Sequence, residues 1–333
     1  MTRRIVFVTG GAGFIGSNVV ARLAEDRSLD IVVCDRLRGV DLGKWRNIAK
    51  HPIGDFVQPE DMFDWLEKRW REVELVVHMG AISSTTEPDA DRLMNVNFCL
   101  SRDLFRWCAD HQRRLIYASS AATYGDGGLG FADHNDLESL TALRPLNPYG
   151  WTKALFDIFA ARQAARDYAP PQWVGLKFFN VYGPNEAHKG PMRSVVSQIW
   201  PKARDGEAVT LFKSHRPDCP DGGQRRDFVY VRDAAEVIAW LMDNEQVSGL
   251  YNLGSGVARS FRDLAEATFK AAGRPPRIEY VPTPEVIRDR YQYFTEADMT
   301  RLTAAGYDRP LTSLEDGVED YVRHYLNRED PYR

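Results

Sequence analysis

The chain begins its order with a short apolar run, Ile5-Val6-Phe7-Val8-Thr9, which passes at once into Gly10-Gly11-Ala12-Gly13-Phe14-Ile15-Gly16 and then into a helical periodicity through residues 17–25. The pattern predicts strand, glycine turn and helix. A second run, Asp30-Ile31-Val32-Val33-Cys34, ends on Asp35. Further runs at residues 75–78, 114–119 and 173–179 read as strands, the first two preceded by amphipathic segments at 59–69 and 92–111. Strand and helix alternate, which predicts a parallel, doubly wound sheet.

Beyond residue 180 the periodicity loosens. Residues 181–225 hold loops and one predicted helix at 192–203, with a Pro/Asp/Gly-rich excursion at 215–223. Regular order returns at 225–231, in an apolar helix from Asp233 to Met242, and at 251–254. A capped helix at 260–272, a proline-punctuated strand and an amphipathic helix at 314–326 close the pattern. The expected fold class is therefore α/β: a Rossmann-type doubly wound parallel sheet with a smaller, discontinuous α/β substrate lobe. Residues 1–180 plus 226–254 are assigned to the dinucleotide-binding domain and 181–225 plus 255–333 to the substrate domain. No repeat or low-complexity tract is visible.

Composition narrows the partners. The 333 residues carry a formal net charge of −4 with interspersed signs, so no basic face or tail of the kind nucleic-acid binding needs is present. The start lacks the apolar core of a signal peptide, and no later run is long enough to span a membrane, which leaves the cytoplasm as the expected location. Cys34, Cys99, Cys108 and Cys219 fall at unrelated spacings and read as reduced thiols. His215 and Cys219 lie four apart in a loop, but they are too few for a tetrahedral metal site, and no metal is expected.

The candidate chemistry starts at the glycine turn. Gly10 permits the tight turn, Gly13 lets backbone N–H groups approach a pyrophosphate, and Gly16 lets the helix pack close on the strand. Asp35 stands where an acidic side chain holds an adenosine ribose. Its carboxylate favours NAD, whereas Arg36, Arg38 and Lys44 could neutralise the 2′-phosphate of NADP, so residue type alone leaves both open. Ligands of such sheets bind beyond the strand carboxyl ends, which singles out the hydroxyl-rich loops 80–85 and 119–125. Tyr149 and Lys153, four apart after a helix-starting Pro148, meet on one helix face. An ammonium beside a phenol favours the phenolate, which would bring Tyr149 down from its usual ~10 toward working pH and let it trade protons with an alcohol.

Together these runs resemble the extended short-chain dehydrogenase/reductase superfamily from end to end: residues 9–16, Ser120, Tyr149 with Lys153, 226–231 and 252–254. Within it the likeness is strongest to the 6-epimerases of ADP-linked heptoses. It is carried by Gly80-Ala81 with residues 83–87, by 117–125 and 178–184, by His188-Lys189-Gly190, and by Arg290-Tyr291-Gln292 and residues 305–308.

The resemblance implies that Tyr149 and Lys189 are the two acid/base groups, one for each face of the sugar carbon. Lys153 would bind the nicotinamide ribose and tune Tyr149, and Ser120 would hydrogen-bond the reacting oxygen. A tightly bound NADP, with NAD as the alternative, would contact Gly10, Gly13, Phe14, Ile15, Gly16, Asp35, Arg36, Lys44, Gly80, Ala81, Ser83, Asn97, Lys153 and Val181. Ser84, Asn180, His188, Phe212, Arg226 and Tyr291 would hold the ADP-sugar, with Arg226 on the diphosphate. The implied reaction is inversion at C6 of the heptose by transient oxidation and re-reduction, supplying a lipopolysaccharide core precursor, in a homo-oligomer.

Two rivals share the scaffold. Another nucleotide-sugar epimerase or a 4,6-dehydratase is one, but a dehydratase usually carries an acid pair where Ala121 and Ala122 stand here. A dinucleotide sensor without turnover is the other, and it has no use for Ser120, Tyr149 and Lys153. The chain also departs from the family at Arg36, in its longer stretch to Lys44, and at residues 216–224, which read as an insertion.

Overall fold

A computed structural model describes residues 4–37, 43–288 and 292–333; Arg38, Arg290 and Tyr291 fall outside them. The chain forms strands β1 (Arg4–Thr9), β2 (Leu29–Cys34), β3 (Asp55–Val57), β4 (Val73–His78), β5 (Arg114–Ser120) and β6 (Trp173–Phe178). After these come β7 (Asn180–Tyr182), β8 (Val209–Phe212), β9 (Arg225–Tyr230), β10 (Gly249–Leu253), β11 (Ala258–Ser260) and β12 (Ile278–Val281). The principal sheet has seven strands in the order β10-β6-β5-β4-β1-β2-β3. Every pairing in it is parallel, as the alternating pattern predicts.

Strand periodicity divides the core in two. Val6 and Val8 of β1 project to one face, where they join helices Phe14–Leu23 and Val231–Asp243. Ile5 and Phe7 project to the other, against helices Leu100–Asp110 and Pro148–Ala164. Both faces are dry, so the strands read as continuous apolar runs rather than alternating ones. A third cluster, with Val196, Trp200, Val209, Leu211, Phe228, Leu264 and Val318, is the core of the smaller lobe. That lobe carries the three-stranded sheet β11-β9-β7 and the pair β12-β8.

The expected domain boundaries shift at two places. Residues 226–230 are grouped by the sequence pattern with the dinucleotide-binding domain, but β9 pairs with β7 and β11, and the chain rejoins the large sheet only through helix Val231–Asp243 and β10. Conversely, Leu302 and Tyr307 of the presumed substrate segment pack in the large sheet's core, with Tyr307 edge-on to Trp240 at 5.4 Å. Both departures follow from burial that connects residues far apart in sequence. β3 is not visible in the pattern because three residues are too short for one.

Candidate active site

The carboxyl ends of β1 and β4 meet at two glycines. Gly10 has φ +65°, and a Cβ there would stand 2.6 Å from the Gly80 nitrogen, so the two loops touch. The Gly80 N–H donates to Thr9 Oγ1 (3.1 Å), which in turn lies 2.6 Å from His78 Nδ1. Gly16 differs from expectation: a Cβ on it would fall 2.1 Å from the Gly10 carbonyl, so the close approach it permits is to its own turn rather than to the strand. Such a cradle, with amides at a helix N-terminus, suits a pyrophosphate.

Asp35 is engaged on both oxygens. Oδ2 accepts from the Ala12 N–H (2.9 Å), while Oδ1 accepts from the Arg36 N–H (2.6 Å) and from Lys44 Nζ (2.5 Å). Lys44 therefore offsets the carboxylate that would repel a 2′-phosphate, and Arg36, 2.8 Å from Glu60, lies at the same strand end. These groups stand together at the strand end where the adenosine ribose of a nicotinamide dinucleotide would lie.

Tyr149, Lys153 and Ser120 come together at the end of β5. Asn147 caps helix Pro148–Ala164 by accepting from the Gly150 N–H (2.8 Å), and proline at the first helical position suits the start. Tyr149 is hydrogen-bonded to Ser120, whose Oγ also accepts from the Ala122 N–H (3.1 Å). The expected downward shift of Tyr149 is absent: burial pushes the phenol up, and the Ser120 hydrogen bond only opposes this. Lys153 explains why, since its Nζ donates to the Ala118 carbonyl (2.7 Å) and burial brings its own pKa down to about 8. The ammonium is directed at the backbone, so the protein alone does not favour the phenolate.

Asn97 lies in a π-helical turn, Met94–Cys99, at the edge of this group. Its Oδ1 accepts from the Ile82 N–H (2.8 Å), and its amide hydrogens go to the Ile82 carbonyl (3.0 Å) and Thr152 Oγ1 (3.3 Å). Expected as a cofactor contact, it pins the 80–85 loop to the helix of Tyr149 through these bonds. In that loop Gly80, Ala81 and Ser84 are half-buried, Ser83 is exposed, and Ser84 Oγ lies 3.0 Å from Thr86 Oγ1.

Lys189 also reaches the glycine turn. Its Nζ sits 5.1 Å above the Phe14 ring, and burial lowers its pKa, with Glu186 opposing. Ile15 is half-buried beside Phe14. His188, expected on the sugar, has its Nδ1 3.2 Å from Asn47 Nδ2, an amide that also donates to Ala12 O (2.9 Å). Burial, then the charge of Lys44, takes His188 down to about 4.

The smaller lobe faces the same opening. Asn180 is exposed where β7 begins, and Val181 packs against both cores. The Phe212 carbonyl at the end of β8 accepts from the Gly222 N–H (3.2 Å). Arg226 on β9 is buried, donating to Arg225 O (2.8 Å) and to Gln292 O, with its guanidinium 5.7 Å from the Phe261 ring. Tyr291 lies outside the described residues. Among the buried polar residues that the sequence reading did not single out are Asp157, Lys177, Glu186 and Asp227. Only Asp157 left a trace, one helical turn beyond Lys153.

Residues 6–254 match the NAD dependent epimerase/dehydratase family. The chain is 48% identical over 328 residues to the ADP-L-glycero-D-manno-heptose-6-epimerase of Nitratidesulfovibrio vulgaris, covering 98% of this chain and 99% of that one. It is 45% identical to the enzyme of the same name from Fusobacterium nucleatum, with 98% and 100% covered. Among solved structures, the Helicobacter pylori ADP-L-glycero-D-manno-heptose-6-epimerase superposes with a TM-score of 0.79 at 28% identity, covering 97% and 96%. Thermus thermophilus UDP-glucose 4-epimerase in complex with NAD gives 0.74 at 29%, covering 95% and 96%.

Proposed function

The chain belongs to the NAD dependent epimerase/dehydratase family, and we propose that it inverts C6 of the heptose in ADP-D-glycero-D-manno-heptose, supplying a lipopolysaccharide core precursor. The full-length likeness to 6-epimerases carries this reading, and the grouping of Tyr149, Ser120 and Lys153 at the end of β5, with Lys189 beside Phe14 of the glycine turn, agrees with it. A nicotinamide dinucleotide, when bound, supplies the hydride acceptor and donor.

The chain's own residues do the rest. Tyr149 removes or returns the proton of the C6 hydroxyl on one face, with Ser120 holding the oxygen and Lys153 stabilising the phenolate once it forms. Lys189 serves the opposite face. Its lowered pKa leaves more of the neutral amine able to accept a proton near neutral pH. Between the two transfers the ketone stays in the same site and needs only reorientation, so positioning replaces diffusion. Arg226 binds the diphosphate, with Asn180, Ser84, Phe212 and Tyr291 around the sugar and base.

For the cofactor we favour tightly held NADP over NAD, because Lys44 already neutralises Asp35. The reaction is placed in the cytoplasm; among the described residues no helix is long and apolar enough to cross a membrane.

The test is product analysis by NMR after incubating pure protein with ADP-D-glycero-D-manno-heptose and with GDP- and UDP-sugars. The expected result is C6 inversion of the ADP-heptose with no net change in NADPH. A 4,6-dehydration product, or inversion only of another nucleotide sugar, overturns the assignment.

A further inference from the structure

Beneath the Tyr149–Lys153 face lies a buried charge pair that the mechanism above does not use. Asp157, one turn beyond Lys153, and Lys177, on β6, are both 1% exposed at the side chain, and Lys177 Nζ stands 2.9 Å from Asp157 Oδ2. Their remaining bonds are nearly complete. Asp157 accepts from Tyr117 OH (3.1 Å) and Ser119 Oγ (2.7 Å), both on β5. Lys177 donates to Thr123 Oγ1 (2.9 Å) and sits 4.9 Å from the Tyr124 ring. Thr123 Oγ1 in turn donates to the Ser120 carbonyl (2.9 Å), so the network runs from the helix of Tyr149 back to the serine that bonds Tyr149.

Two buried charges cost several kcal/mol of desolvation each, and similar-sized apolar residues would often be no worse for stability. Stability alone therefore accounts poorly for the pair. Electrostatics offers a reason. Asp157 opposes phenolate formation at Tyr149 and favours the charged form of Lys153. The other groups facing this region are His78 of β4, which burial keeps neutral, and Tyr117 and Tyr124, whose phenols burial pushes up. Lys177 is then the cation that cancels Asp157. With Lys153 charged, the three side chains carry a net +1 rather than the zero that Asp157 and Lys153 would leave alone, so less charge opposes a phenolate above them.

We propose that Asp157 and Lys177 are positioning residues for proton transfer by Tyr149: as a neutral pair they anchor the helix to β5 and β6, and Lys177 offsets the Asp157 charge that would otherwise oppose the phenolate. This rests on the proposed role of Tyr149. Removing only Lys177 leaves an unbalanced carboxylate and drops the net charge to zero. Removing both charges restores +1.

The experiment follows epimerisation by the holoenzyme from pH 6 to 9.5 for the wild type, Lys177→Met and the double variant Asp157→Asn/Lys177→Met. The acid limb of kcat should move up by about one pH unit in Lys177→Met, lowering the rate at pH 7 about 10-fold with KM little changed. In the double variant the limb should return to the wild-type position. A limb unmoved in Lys177→Met, or one displaced equally in both, overturns the inference. Where Lys177→Met does not fold, the double variant decides: a limb at the wild-type position supports the pairing and a displaced one overturns it. The same displacement is read without turnover from phenolate absorbance, as the difference between each protein and its Tyr149→Phe counterpart. A wild type that fails to epimerise strikes the proposed function instead and leaves this titration to judge the pair.

Discussion

The two proposed proton-transfer groups are held in opposite ways. Tyr149 rides on a 17-residue helix docked on the large sheet, and its neighbours Ser120 and Lys153 lie within one strand end and one turn. Lys189 rides on Ala187–Met192, a short helical segment broken at Gly190 (φ 55°, ψ −124°) and followed by Pro191. Its footing is Glu186, which accepts from the Ser194 N–H and Ser194 Oγ (both 2.5 Å) and from Tyr321 OH (3.0 Å), the last near the end of the chain. One group is fixed by local structure, the other by contacts between distant segments. A site can thus be half motif and half tertiary assembly.

The largest expected effect tests whether the two halves are equals in chemistry. Tyr149→Phe and Lys189→Met should each reduce epimerisation at least ~100-fold while substrate affinity, measured by calorimetry, changes little. With a substrate analogue carrying an aldehyde at C6, each variant should keep some dismutation through the remaining base. Full epimerase activity in Lys189→Met would leave Tyr149 as the sole proton-transfer group.

Arg226→Ala should act on binding instead. Loss of a charge-assisted bond to the diphosphate, about 2–3 kcal/mol, predicts roughly 50-fold weaker binding of ADP-sugar in the same calorimeter. Unchanged affinity would detach Arg226 from the substrate.

Histidines sharpen the comparison through stability. Burial takes His78, under the Tyr149 side, down to about 3, and His188, beside Lys189, down to about 4. Both folded values lie below the unfolded ~6.5, so their contribution is complete above pH 6.5 and is lost as pH falls toward the folded values. For the fully enclosed His78 the loss between pH 7 and pH 5 is about 2 kcal/mol, roughly 30-fold in the unfolding constant. Between pH 7 and pH 5 the two histidines should lose nearly the same amount, so the urea midpoints that separate them are those at about pH 3.5, where His78→Gln should flatten the loss more than His188→Gln. The reverse order would mean that the Lys189 side is the better sealed.

The smallest effect concerns the cofactor. Arg36→Ala/Lys44→Ala should weaken NADP about 10-fold, and NAD far less, by fluorescence titration. Equal losses would show that these cations do not read a 2′-phosphate.

What the chain revealed before folding follows the same division. The glycine turn, Asp35 and the Tyr149–Lys153 pair are legible because their spacing is set within one strand, turn or helix. Lys189 in a polar loop has no such periodicity, and only resemblance to a family drew it out. The partner of His188, Asn47, could not be named from the pattern because it is 141 residues away in sequence. The phenol's direction of shift was misjudged for a different reason: a pairing rule names two charges but not the Ala118 carbonyl that receives the ammonium. Glu186 and Asp227 were invisible for the first reason again, since their donors, Tyr321, Ser255 and Ala297, come from later parts of the chain.

The seat of β10 at the outer side of β6 bears on biosynthesis. β6 ends at Phe178, and its partner on that side does not arrive until Gly249. At about 5–20 residues per second, a ribosome needs several seconds to make the intervening chain. Throughout that interval a fully buried strand of the finished protein exposes a row of unpaired backbone groups. The nascent protein is thus open to misassociation along this edge until Gly249 has been made and β10 can dock.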